Sequence, residues 1–94
     1  MPAYLVEAYA AGLTPDGLRV VSVRVARTAR TMSERGTPVV HLQAFYLPGD
    51  EVRLHLLRAP SIEAVGELIH RAGLSSDRIV EAVLTAGATG PCAR

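Results

Sequence analysis

Apolar residues return along this chain at two different periods, and the changes between them mark out six segments. From Leu18 onward, Val21, Val25, Ala29 and Met32 recur every three or four residues, which is one stripe of a helix. Thr14 and Pro15 stand where a cap and a first helical residue belong, and Gly36 stands where a helix stops. A second helix opens at Pro60-Ser61-Ile62-Glu63 with Ser61 as its cap. Its inner face is Ile62, Val65, Leu68, Ile69 and Ala72, its outer row is Glu63, Glu67 and Arg71, and Gly73 ends it. Residues 3–10, 37–47, 51–58 and 77–86 are rich in apolar and β-branched positions and predict strands. The clearest alternation is Glu51, Arg53 and His55 against Val52, Leu54 and Leu56.

The order β-α-β-β-α-β is the α+β arrangement called ferredoxin-like, two strand-helix-strand halves joined by a hairpin. Right-handed crossovers give a four-stranded antiparallel sheet of order 4-1-3-2 with both helices on one face. One domain spans residues 1–86, and residues 87–94, which lack periodicity, form a flexible tail.

The more uniformly apolar set should lie under the helices: Val52, Leu54 and Leu56 of the third strand, and Val40, Leu42, Ala44 and Tyr46 of the second. That match needs Tyr46 opposite Val52 and a three-residue loop, Pro48-Gly49-Asp50, with positive φ at Gly49 or Asp50. The open face would then carry Val39, His41, Gln43, Phe45 and Leu47, with Arg53, His55 and Leu57 beside them. Leu5, Glu7 and Tyr9 join from the first strand, and Ile79, Glu81 and Val83 from the last. Such a mixed surface is best covered by a second copy, so a sheet-to-sheet homodimer is expected.

Composition narrows the chemistry. The 94 residues are 49% hydrophobic and 20% charged, too apolar for disorder. Ten basic residues, all Arg, face nine acidic ones for a net charge of +1, which does not point to nucleic acid. The absence of Lys excludes Schiff-base lysine chemistry and a Walker lysine, and no nucleotide cofactor is expected. A single cysteine, Cys92, allows no intrachain disulfide. The N-terminus lacks a signal-peptide pattern and no apolar run reaches membrane-spanning length, so a cytoplasmic protein without a membrane partner is expected.

Several segments carry a resemblance. They are Met1-Pro2-Ala3-Tyr4-Leu5-Val6-Glu7, Pro48-Gly49-Asp50-Glu51, and Ala59-Pro60-Ser61-Ile62-Glu63-Ala64-Val65. His70-Arg71-Ala72-Gly73-Leu74 and Asp77-Arg78-Ile79-Val80-Glu81-Ala82-Val83 complete the set. Through them the chain resembles a small bacterial ferredoxin-like family of unknown function with members labelled nickel-binding-protein-like, within the dimeric α+β barrel type. The resemblance implies the fold, dimerisation and the binding of nickel or another divalent transition metal.

His41, His55 and Glu7 are the foremost constellation: three neighbouring strands, one expected face, and His41 diagonal to a His55 that stands opposite Gln43. Two imidazoles and a carboxylate suit nickel or zinc. The bland alternative is a hydrogen-bonded pair of interface histidines. The same three residues would be catalytic in a cofactor-independent enzyme, a cyclase, isomerase or monooxygenase with a histidine base acting on a small aromatic or polyketide-like substrate. Tyr9, Gln43 and Arg53 would then bind the ligand, although Arg53 has a plainer role available in pairing with Glu7 or Glu81. His70 reads as a boundary residue, and Arg19, Arg24, Arg27 and Arg30 as a solvated surface. The leading expectation is a small dimeric protein that binds a small molecule or a metal ion in a polar pocket of its sheet. A non-catalytic interaction module is the third reading.

Overall fold

The computed structural model describes residues 1–85. The element order is the expected one: β1 (Ala3–Tyr9), α1 (Pro15–Glu34), β2 (Val40–Leu47), β3 (Val52–Arg58), α2 (Ile62–Arg71) and β4 (Arg78–Ala82). All neighbouring strands are antiparallel, in the order β2-β3-β1-β4, which is 4-1-3-2 read from the other edge. The expected tail at 87–94 lies outside the described residues.

Both helices begin and end as their sequences dictate. Thr14 caps α1 by accepting from the Gly17 amide at 3.0 Å, with Pro15 as the first helical residue. Ser61 caps α2 through the Ala64 amide at 3.2 Å. Each helix stops in the same paired motif. The amides of Gly36 and Thr37 return to the carbonyls of Ser33 and Met32, and those of Gly73 and Leu74 to His70 and Ile69. Gly36 and Gly73 have φ of 102° and 71°, which glycine adopts without a Cβ penalty.

The inner stripe of α1 (Val25, Ala29, Met32) and that of α2 (Ala64, Val65, Leu68, Ile69) close over Tyr4, Val6 and Leu57 of the sheet. Val39 and Ala59 join this cluster, and Val21, Leu74 and Ile79 pack at its margin. Residues 37–39, expected as strand, are instead tied to the end of α1. Thr37 bonds Met32, Pro38 has no amide to give, and the Ser33 hydroxyl meets both the amide and the carbonyl of Val39 at 3.0 Å.

The β2–β3 register departs from expectation by one residue. Leu47, not Tyr46, lies opposite Val52, and Tyr46 lies opposite Arg53. The connection has four residues, and the positive φ falls on Glu51 at 54° rather than on Gly49 or Asp50. Glu51 is drawn out of the strand by the β1–α1 loop. Its carbonyl accepts from Ala10 at 2.8 Å, and its carboxylate accepts from the Gly12 amide at 3.0 Å and the Tyr9 hydroxyl at 3.3 Å. Those bonds hold a conformation that costs a non-glycine residue of order 1 kcal/mol.

A one-residue shift exchanges the faces of a strand. Arg53, His55 and Leu57 therefore lie with Tyr4, Val6 and Ala8 on the helix-covered side. Val52, Leu54 and Leu56 lie with Leu5, Glu7 and Tyr9 on the open side. In β4, Ile79 pairs with Val6 and packs on the core, while Val80 pairs with Leu5, again the reverse of expectation. Glu81 pairs with Tyr4, on the covered side, and Val83 lies beyond the end of β4.

Candidate functional site

His41 and His55 meet on the covered side of the sheet. A β-bulge brings them together. From Leu47 to Gln43, β2 alternates regularly against β3, with Ala44 and Tyr46 on the covered side. Between Gln43 and His41 the register slips, and Leu42 is the extra residue. Beyond the slip His41 pairs with Leu57, which is fully buried beneath the helices, so His41 joins that side. Strict alternation would have put Leu42 and Val40 there instead. His55 stands opposite Ala44, two residues from the partner of His41, so the imidazoles are diagonal neighbours as expected, but on the other side of the sheet.

The pair is closely set. His55 Nδ1 and His41 Nε2 are 3.2 Å apart, with ring centroids 5.3 Å apart and planes inclined at 49°. His55 is fully buried and His41 half-buried, so His41 is the solvent-facing member. Burial holds the His55 pKa down to about 4, helped by the nearby His41 and Arg53 charges. Burial also lowers His41, against a hydrogen bond with the Gln43 backbone that favours its charged form. Both imidazoles are thus neutral near pH 7, the form in which a ring nitrogen offers a lone pair.

Arg53 runs beside them on the same side of β3, 7% exposed, and donates from its terminal nitrogen to the Ser75 carbonyl at 3.1 Å. It does not pair with Glu7 or Glu81. Burial lowers its pKa and the Asp77 carboxylate opposes that shift. His55 Nε2 and Arg53 Nε are buried without a hydrogen-bond partner among the described residues. Two orphaned polar atoms in one cluster are unusual in a core, where such groups are nearly always paired. A cleft of about 360 Å³ opens next to this row, between the start of α1 and β2, lined by Leu13, Pro15, Leu18, Ala44, Tyr46 and Pro48. Ala44 is the cross-strand partner of His55. The Tyr46 hydroxyl donates to the Ala10 carbonyl at 2.6 Å and so steadies one wall.

The remaining expected site residues lie elsewhere. Glu7 is on the open side, 3.7 Å from Arg78 and opposite Leu54, so it cannot join the imidazoles. Tyr9 is exposed, and its hydroxyl pKa is raised by the Glu51 carboxylate to which it donates. Gln43 is exposed on the open side of β2. His70 is on the outer surface of α2. Among the described residues, no three His, Cys, Asp or Glu side chains stand close enough to hold a metal ion. As donors to such an ion, His41 and His55 fit in kind and in separation: two nitrogens 3.2 Å apart are spaced like two ligands of one centre with bonds of about 2.1 Å. They supply two positions, not three.

One solved structure shares the fold as a whole. Crystalline SCO4226 from Streptomyces coelicolor A3(2) superposes with a TM-score of 0.72 at 27% sequence identity, over 89% of this chain and 99% of that one. The chain has the ferredoxin-like fold. No family model and no curated protein matches it. The fold fixes the shape of the sheet and its two helices, and the chemistry must be argued from the side chains themselves. Among the described residues, no helix is long and apolar enough to cross a membrane.

Proposed function

We propose that this chain is a small cytoplasmic homodimer that binds a divalent transition metal of the nickel type at His41 and His55, with water or a small molecule from the adjoining cleft completing the coordination. The facing nitrogens carry this reading. They are held 3.2 Å apart by two different strands, and both rings are neutral at physiological pH. In the ion-free state one nitrogen donates its proton to the other. On loading, the His55 proton resides on Nε2, so that both facing nitrogens present lone pairs. His41 presents its Nε2 lone pair when its proton is on Nδ1. An ion bound there would act as a Lewis acid toward whatever occupies the cleft. Burial, with the His41 and Arg53 charges adding to it, keeps His55 uncharged, and the Arg53 charge favours an anionic co-ligand.

The uncovered side supports the dimer. Leu5, Leu54, Leu56, Phe45, Leu47 and Val80 share it, interrupted by Glu7, Gln43, Arg58 and Arg78. A surface of that kind is covered in most soluble proteins.

Metal analysis of protein purified without a histidine tag tests the first part, followed by calorimetric titration with nickel and with zinc. One ion per chain is expected, with binding lost in His41→Ala and unchanged in Glu7→Gln. Retention of full binding in His41→Ala would refute the site. Native mass tests the second part: a dimer is expected, and Leu56→Glu should yield a folded monomer.

A further inference from the structure

The outer side of α1 contradicts the usual make-up of a solvated helix. Val20 and Val23 are 60% and 45% exposed there. They form the floor of a groove of about 640 Å³ whose walls are Arg19, Arg24 and Arg27, with Asp16 at one end. β-Branched residues are mediocre helix formers, and an exposed helix position ordinarily takes Ala, Glu, Lys or Gln. The inner stripe of the same helix already supplies what the fold needs, through Val25, Ala29 and Met32. Asp16 is paired with Arg19, whereas Arg24 and Arg27 have no carboxylate within ion-pair distance among the described residues. The planar guanidinium suits carboxylates, so the unpaired Arg24 and Arg27 favour an acidic partner.

We infer that this groove docks an acidic amphipathic helix of another protein. Val20 and Val23 lie one turn apart between the arginines, which fits the narrow apolar stripe and charged flanks of an amphipathic helix. Its apolar residues sit on Val20 and Val23, and its Asp or Glu residues flank them to meet Arg24 and Arg27. A second copy of this chain is a poor occupant. Two such grooves face to face would bring together six guanidiniums and two carboxylates, twice the three and one of a single groove. A membrane is disfavoured as well, since two valines without Trp, Phe or Leu give little to insert.

Fluorescence anisotropy with three labelled synthetic 21-residue peptides tests the inference. One is a helix with Leu on the seam and Glu on both flanks, the second has Lys in place of Glu, and the third has the first one's composition scrambled and broken by Pro. The Glu helix should bind saturably and at least about tenfold more tightly than either other peptide. The double variant Arg24→Glu/Arg27→Glu should lose about tenfold for the Glu helix and gain affinity for the Lys helix. Both positions are exposed, and circular dichroism with native mass would confirm that fold and assembly are intact. Equal binding of the scrambled peptide would reduce the groove to a diffuse positive surface and overturn the claim. So would no binding at all, or sedimentation with anionic vesicles in place of peptide binding.

Discussion

Leu57 and Leu56 are adjacent in β3, yet one is fully buried beneath the helices and the other is half-buried on the uncovered side of the sheet. Exposure alone does not divide the strand, since Leu54 on the uncovered side is also buried, at 5% exposed. The covered side takes Arg53 and His55, polar groups that are expensive to bury, while the uncovered side takes Val52, Leu54 and Leu56. Alternation therefore tells which residues travel together and not which set the helices cover. A sheet whose more apolar set faces outward holds those side chains for something other than its own helices.

Truncation of the two leucines gives the largest test of that division. Leu57→Ala should cost about 3 kcal/mol of unfolding free energy, because the cluster it shares with Val6, Val25 and Leu68 closes only in part over the space left. Leu56→Ala should cost about 1 kcal/mol in dilute protein. Urea unfolding measures both, and equal losses would mean that the two sides are equally dry.

The covered side has a pH signature of its own. His55 has a folded pKa of about 4 against an ordinary 6.5, so the unfolded chain binds the proton first as pH falls. Stability is full above about pH 6.5 and declines down to about pH 4, by about 3 kcal/mol in total. His41 adds a decline of the same sign. In His55→Leu most of that slope should vanish from chemical denaturation followed between pH 4 and 7. An unchanged slope would show that His55 charges freely in the fold.

A smaller effect sharpens the role of the bulge. Removing Leu42 would make His41 the immediate neighbour of Gln43, and the ladder would run unbroken with His41 still opposite Leu57. The deletion should change stability by no more than about 1 kcal/mol and leave the imidazoles in contact, which their nitrogen chemical shifts would report. Separation of the two rings would mean that the bulge positions His41 by more than register.

Much of this was legible from sequence for local reasons. Thr14, Ser61, Gly36 and Gly73 set the ends of both helices through bonds made within a few residues, so their signals are complete in the sequence. The faces of β1 were legible because Tyr4, Val6 and Ala8 alternate with Leu5, Glu7 and Tyr9 without interruption. The β2–β3 register was not, because it is set by Glu51 reaching Gly12, 39 residues away in sequence, and no local pattern encodes that contact. The bulge at Leu42 carries no turn residue to announce it. His41 and His55 were still paired correctly: the added loop residue and the bulge each shift the ladder by one, and the diagonal relation survives both. Glu7 was lost from the site because His41 and β3 changed faces relative to expectation, while β1 did not.

The Glu7–Arg78 pair is the weakest contact that still discriminates between the two sides. Its atoms are 3.7 Å apart, with the Arg78 side chain 66% and that of Glu7 29% exposed. A pair that wet contributes at most about 0.5 kcal/mol, so Arg78→Ala should barely move the midpoint in dilute protein. The same variant at high protein concentration is the sharper experiment. If a second copy covers the sheet, Glu7 loses solvent there and its cation matters more, because an unpaired buried carboxylate is costly. The effect of Arg78→Ala should then grow with concentration, in step with the native mass, whereas a sheet that stays open gives the same small shift at every concentration.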